Sequence, residues 1–142
     1  MKISNLITVK AYRKFMVESN FRSLPLSWNL QDECSDYPVT GITWDDVLEY
    51  TKFYSKYSES YSEIEPISES LWIENYKSLD GYGLYEWTYR KNNSNTILLP
   101  VIRGGIFNYD NNDASFTRGL YYALGRSNFR ETNIGFRVVT KD

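Results

Sequence analysis

The chain has 142 residues, 42% apolar and 17% aromatic, with a net charge of −2. That length supports one core but not two, and the composition excludes a disordered chain. Histidine is absent and Cys34 is the single cysteine, which excludes an internal disulfide, His-dependent triads, His-ligated zinc and the two-His iron site.

No run approaches the roughly 20 apolar residues of a membrane span. Met1 to Thr8 has no signal-peptide h-region, so the expectation is a chain that is not exported. Residues 1–80 carry 8 Lys and Arg against 13 Asp and Glu, a net −5; residues 81–142 carry 8 against 5, a net +3. Either the halves pair their charges on folding, which is the simpler reading, or the second half presents a basic, ligand-facing patch. Overall acidity argues against nucleic-acid binding.

In chain order, a short strand is expected at Leu6-Ile7, followed by a helix from Val9 to about Ser19 capped by Thr8. Its apolar stripe is Ala11, Tyr12, Phe15 and Met16. Asn20 to Tyr37 reads as irregular. Thr43-Trp44-Asp45-Asp46 fits a capping box. The helix that follows carries Val47, Tyr50, Tyr54, Tyr57 and Tyr61 at alternating spacings of three and four, a stripe read as core. A third helix starts at Ser68, with Glu69 in its first turn and Leu71, Trp72 and Tyr76 following. Gly81-Tyr82-Gly83 is a turn, Leu84 to Thr88 a strand, and Asn92 to Asn95 a polar loop. Thr96 to Arg103 is a strand broken or bulged by Gly104-Gly105. Gly135 to Thr140 closes the chain as a strand, with Phe136 sent inward.

Arg103 and Arg137 are embedded in apolar strands and are expected to be buried against carboxylates, with Glu86 and Asp46 as candidates. Between them lies a stretch rich in Tyr, Asn and Arg, the mixture common in protein-recognition surfaces. Tyr109, Asn111, Asp113, Arg118, Tyr121, Tyr122, Arg126 and Arg130 are the candidate ligand or partner residues. The Asn108–Asp113 loop also offers hard oxygen ligands, so a structural Ca²⁺ is a second expectation there, against an ordinary polar turn. The acid pairs Asp45-Asp46 and Asp110-Asp113 read as caps or solvated turns before acid–base dyads.

Arg103-Gly104-Gly105-Ile106-Phe107 and Gly135-Phe136-Arg137-Val138-Val139 together read as R-G-G-x-F followed by G-F-R-V-V. Thr8, Tyr12 and Phe15 match a T-x-x-x-Y-x-x-F start. Pro38-Val39 with Thr43-Trp44-Asp45-Asp46 is similar to a P-V…S-W-x-D segment, and Glu69 and Trp72 stand where a helix reads E-x-x-W. Glu86-Trp87-Thr88 matches E-W-T. In this order the blocks resemble the formylglycine-generating enzyme (sulfatase-modifying factor) family, over about residues 6 to 139. The resemblance implies an α+β, C-type lectin-like domain across residues 1–142. Two to three helices would pack on a small twisted antiparallel sheet. It makes Arg103, Gly104, Gly105, Gly135, Phe136, Arg137, Trp87 and Glu86 structural supports.

Family members that make formylglycine hold copper with two cysteines between the R-G-G-x-F and G-F-R blocks, and related sulfoxide synthases hold iron with histidines. Asn108 to Asn133 contains no cysteine, and the chain has no histidine. The resemblance therefore implies the fold without the family's chemistry. The expectation is a non-enzymatic binding or structural module recognising protein or glycan, with no cofactor. The same fold carries phage surface proteins, so a virion component within a larger assembly is expected if the chain is phage-encoded, and a cytoplasmic protein otherwise. A divergent metal-dependent oxidase is the alternative.

Overall fold

A computed structural model of the chain describes residues 1–57, 63–94, 98–104, 117–120 and 130–141, with the backbone alone at 56–57 and 117–120. Polar caps mark its three longer helices. Thr8 is extended, and its Oγ1 accepts the Ala11 amide at 3.1 Å to start α1 (Val9–Ser19). The helix ends at Asn20, left-handed at φ 56°, a conformation Asn tolerates. A short helix α2 (Trp28–Gln31) lies in the stretch that reads as irregular.

The capping box forms as the sequence implies. The Asp46 amide donates to Thr43 Oγ1 at 3.0 Å, and Asp46 Oδ2 accepts the Thr43 amide at 2.9 Å, opening α3 (Trp44–Tyr57). Ser68 Oγ accepts the Leu71 amide at 3.2 Å and starts α4 (Glu69–Asn75), which tightens into a 3₁₀ turn at Tyr76–Ser78. Four α-helices thus stand among the described residues, against an expectation of two to three.

The strands are β1 (Lys2–Ile3), β2 (Ile64–Pro66), β3 (Tyr85–Lys91), β4 (Leu98–Gly104), β5 (Thr117–Leu120), β6 (Ile134–Phe136) and β7 (Val138–Thr140). They form two sheets instead of the single antiparallel one expected. One has the order β1-β7-β2; the other has the order β5-β4-β3-β6, with β3 and β6 parallel. The α+β class holds. The strand expected over Gly135 to Thr140 divides at Arg137, and the chain there leaves one sheet for the other.

Leu6-Ile7 is not a strand. Ile7 donates its amide to Phe136 O at 2.9 Å and accepts the Val39 amide at 2.9 Å, but Thr8 then bridges to Pro38, which has no N–H to extend a ladder.

An aromatic core joins these parts. Tyr12 and Phe15 of α1, Tyr50 of α3 and Phe136 of β6 meet with ring centres 5.1–5.2 Å apart for Phe15–Tyr50 and Tyr50–Phe136. Edge-on contacts of this kind add about 0.5–1.5 kcal/mol beyond area burial. Trp87 is fully buried on β3 and gives its indole N–H to Ile42 O at 3.0 Å. Of the tyrosine stripe, Tyr50 and Tyr54 pack in this core; the Tyr57 side chain and Tyr61 lie outside the described residues. Burial raises the phenol pKa of both Tyr12 and Tyr50, so each is a neutral core side chain.

Two glycines let segments approach closely. Gly104, at φ +98°, ends β4 where a Cβ would sit 2.9 Å from Leu84 O. At Gly135 a Cβ would come within 3.2 Å of Val39 O.

Candidate functional site

Alternation along β3 sends Trp87 and Tyr89 toward one face and Glu86, Thr88 and Arg90 toward the other. Cross-strand register sets Glu86 opposite Arg103 of β4. Helix α4 contacts β3, and it brings a second carboxylate, Glu69, to this polar face.

The two carboxylates divide the arginines. Glu86 receives Arg137: Nε donates to Oε1 at 2.6 Å and Nη2 to Oε2 at 3.2 Å. The rest of that guanidinium donates to Ser4 O at 3.1 Å and Asp80 O at 3.0 Å, and the Arg137 side chain is 0% exposed. Residue 137 therefore ties β6 and β7, the segment before α1 and the turn before β3 into one point. Burial raises the Glu86 pKa above the ordinary carboxylate range; the hydrogen bonds from Arg137 oppose the shift without cancelling it.

Glu69 instead receives two guanidinium groups. Arg90 Nε and Nη2 donate to its two oxygens at 2.8 and 2.9 Å, and Arg103 Nε donates to Oε2 at 2.9 Å. Burial raises this pKa too, but the hydrogen bonds from Arg90 and Arg103 outweigh it and hold the carboxyl below its usual range. Arg137 thus meets Glu86 as expected, whereas Arg103 takes Glu69 and not Asp46.

Asp46 is 2% exposed, engaged in its capping box, and lies 3.8 Å from Arg130 Nη2. Arg130 also donates from Nη1 to Leu24 O at 2.6 Å and from Nη2 to Ser23 Oγ at 3.3 Å. Expected as a ligand residue, Arg130 is placed as a clasp that binds the loop after α1 to the start of α3.

Of the other candidate binding residues, only Arg118 falls on a described segment. Tyr109, Asn111, Asp113, Tyr121, Tyr122 and Arg126 lie outside the described residues, as do Gly105 and the Asn108–Asp113 loop considered for Ca²⁺. Arg118 lies on β5, whose backbone pairs Thr117 with Arg103 and Gly119 with Ile102. Residue 118 is the extra one in this β-bulge.

Glu69 is the functional-looking residue that sequence reading missed as an ion partner. Its position in a helix first turn explained it locally, and nothing near it in sequence announces Arg90 or Arg103. Among the described residues, no group of three or more His, Cys, Asp and Glu side chains is placed to hold a metal ion. None of their helices is long and apolar enough to cross a membrane. No protein-family model, curated protein or solved structure matches the chain.

Proposed function

We propose that this chain is a non-enzymatic binding or structural module on a C-type lectin-like scaffold of the formylglycine-generating type, serving as a phage virion component that recognises protein or glycan. The observation that carries this reading is how the core flanks residues 105–129. On one side, Arg103 is clasped by Glu69 next to Gly104; on the other, Arg130 is clasped by Leu24 O, Ser23 and Asp46. Between the two, β5 returns to the edge of the sheet against β4. A variable surface needs supports of this kind, because binding residues on loops work only when a rigid scaffold sets their positions. The arginines and carboxylates of that scaffold are engaged in holding it together.

Purified particles of the source phage should contain the chain at a fixed copy number, read by quantitative mass spectrometry. A triple variant Tyr121→Ala, Tyr122→Ala, Arg126→Ala should abolish attachment to the particle or its glycan target at an unchanged melting temperature. Attachment that survives the triple variant, or oxygen turnover by the purified chain with bound copper, overturns the proposal.

A further inference from the structure

The chain from Asn20 to Thr43 runs between α1 and α3, and two polar side chains fix its course. Gln31 donates from Nε2 to Leu26 O at 2.7 Å and to Thr40 O at 2.8 Å, while its Oε1 accepts the Thr40 amide at 3.0 Å. Arg13 of α1 donates to Asp32 Oδ1 and to Asp32 O, both at 2.6 Å, and to Ser35 Oγ at 3.1 Å. The Val9 amide donates to Tyr37 O at 2.8 Å, and Thr8 bridges to Pro38. On this fixed backbone Leu30 and Tyr37 face solvent, 67% and 64% exposed.

Two depressions among the described residues adjoin at Pro38. One, of about 250 Å³, is mostly apolar, with Val9, Leu30, Cys34 and Tyr37 among its lining residues. The other, of about 170 Å³, is acidic: Asp36 and Asp80 line it beside Asn5, and Tyr82 stands at it largely exposed. This end is fixed as well, because Asp80 Oδ1 accepts the Tyr82 amide at 3.2 Å and Asp80 O accepts Arg137 Nη2 at 3.0 Å. No lysine or arginine lines either depression, and among the described residues neither Asp36 nor Asp80 is in an ion pair. The segments that build the face, 5–13, 30–40 and 80–82, carry four carboxylates (Asp32, Glu33, Asp36 and Asp80) against the cations Lys10 and Arg13. Arg13 is already spent on Asp32. The face is therefore apolar on one side of Pro38 and net negative on the other.

We infer that this face docks an extended segment of a partner protein in which an apolar side chain stands close to a lysine or arginine. The apolar side chain is covered by Leu30, Tyr37 and Val9, and the cation meets Asp36 and Asp80 beyond Pro38. Apolar contact supplies the affinity, and the acidic end selects the charge of the partner. Tyrosine is a residue type enriched at such interfaces, and a backbone fixed before binding loses little freedom on it. The face contains none of residues 105–129, so the inference does not rest on the recognition surface proposed above.

Amide chemical shifts of residues 5, 8, 34, 36, 37, 80 and 82, followed under reducing conditions, test it. A blocked hexapeptide of alternating leucine and lysine should move them saturably at millimolar concentration, and added salt should weaken it. The same peptide with glutamate for lysine, or with serine for leucine, should bind at least fivefold more weakly. Leu30→Ser, and the double variant Asp36→Asn with Asp80→Asn, should each weaken the leucine–lysine peptide about fivefold at an unchanged melting temperature. Glu49→Gln, at an exposed acid on α3, should leave it unchanged. An absence of saturable shifts, equal binding of the glutamate peptide, or an affinity that the Leu30 and aspartate variants leave intact overturns the inference. Self-association of the chain that moves the same amides on dilution also overturns it, since the occupant would then be a second copy.

Discussion

Glu86 and Glu69 are both carboxylates tied to arginine near the same polar sheet face, yet their environments push their protonation in opposite directions. Glu86 is enclosed, with a side chain 2% exposed, and has one guanidinium. Glu69 is slightly more open at 11% and has two. One guanidinium does not offset full burial, so the Glu86 pKa rises; two offset partial burial, so the Glu69 pKa falls. The comparison teaches that a buried ion pair can hold segments together without being a strong source of stability. Around Arg137 the return is connectivity: four hydrogen bonds from one side chain join two sheets and two loops.

The sharpest way to break the comparison is to remove Arg137. Arg137→Met strands Glu86 in the core and should destabilise the protein by about 3–5 kcal/mol in urea unfolding at neutral pH. Adding Glu86→Leu should recover a large part of that loss, because the stranded charge goes with its partner. A double variant as unstable as Arg137→Met alone would mean that the backbone contacts at Ser4 and Asp80, and not the ion pair, carry the cost.

The Glu69 cluster should tolerate damage better, since each arginine leaves the other in place. Arg103→Met should cost about 1.5–3 kcal/mol, the loss of hydrogen bonds to a charged group in a buried setting. Arg90→Gln, at a half-exposed side chain, should cost less than about 1 kcal/mol. Equal losses for the two, measured by urea midpoint, would show that burial does not separate them.

The smallest effect is also the most diagnostic, because its sign differs between the sites. The folded-state pKa of Glu69 lies below the unfolded value near 4.5, so its stabilisation is complete above that pH and is lost as pH falls through the lowered pKa. That of Glu86 lies above 4.5, so the folded state binds the extra proton and stability declines as pH rises through the raised pKa. As pH climbs between about 3 and 7, Glu69→Gln should therefore fall further behind the wild type, while Glu86→Gln should gain on it. Parallel urea midpoints for the two variants across that range would remove the distinction.

Much of the local structure was legible in the residues. Thr8 and Thr43 with Asp46 cap the helices they were expected to cap, and the helix expected to start at Ser68 starts there with Ser68 as its cap, because a cap is decided by two or three neighbouring residues. β3 and β4 were legible from long apolar or alternating runs. The three-stranded sheet was not. Lys2–Ile3, Ile64–Pro66 and Val138–Thr140 are too short to show a period of two, and each is a strand only because another crosses it. Of the candidate site, the burial of Arg103 and Arg137 and the Glu86 pairing were visible in charges set among apolar neighbours. The Glu69 cluster and the Arg130 clasp were not, since their partners lie far apart in the chain.

By itself, then, the sequence determined where the three longer helices begin, which strands are long, that Arg103 and Arg137 are buried, and that imidazole chemistry is unavailable. Only the tertiary structure decided that Arg137 meets Glu86, that Glu69 gathers Arg90 and Arg103, and that residue 137 is the crossing between two sheets. Capping and periodicity act between near neighbours, within reach of a few bonds. Ion pairing depends on distances that exist only once β3, β4, α4 and the C-terminal strands have been brought together.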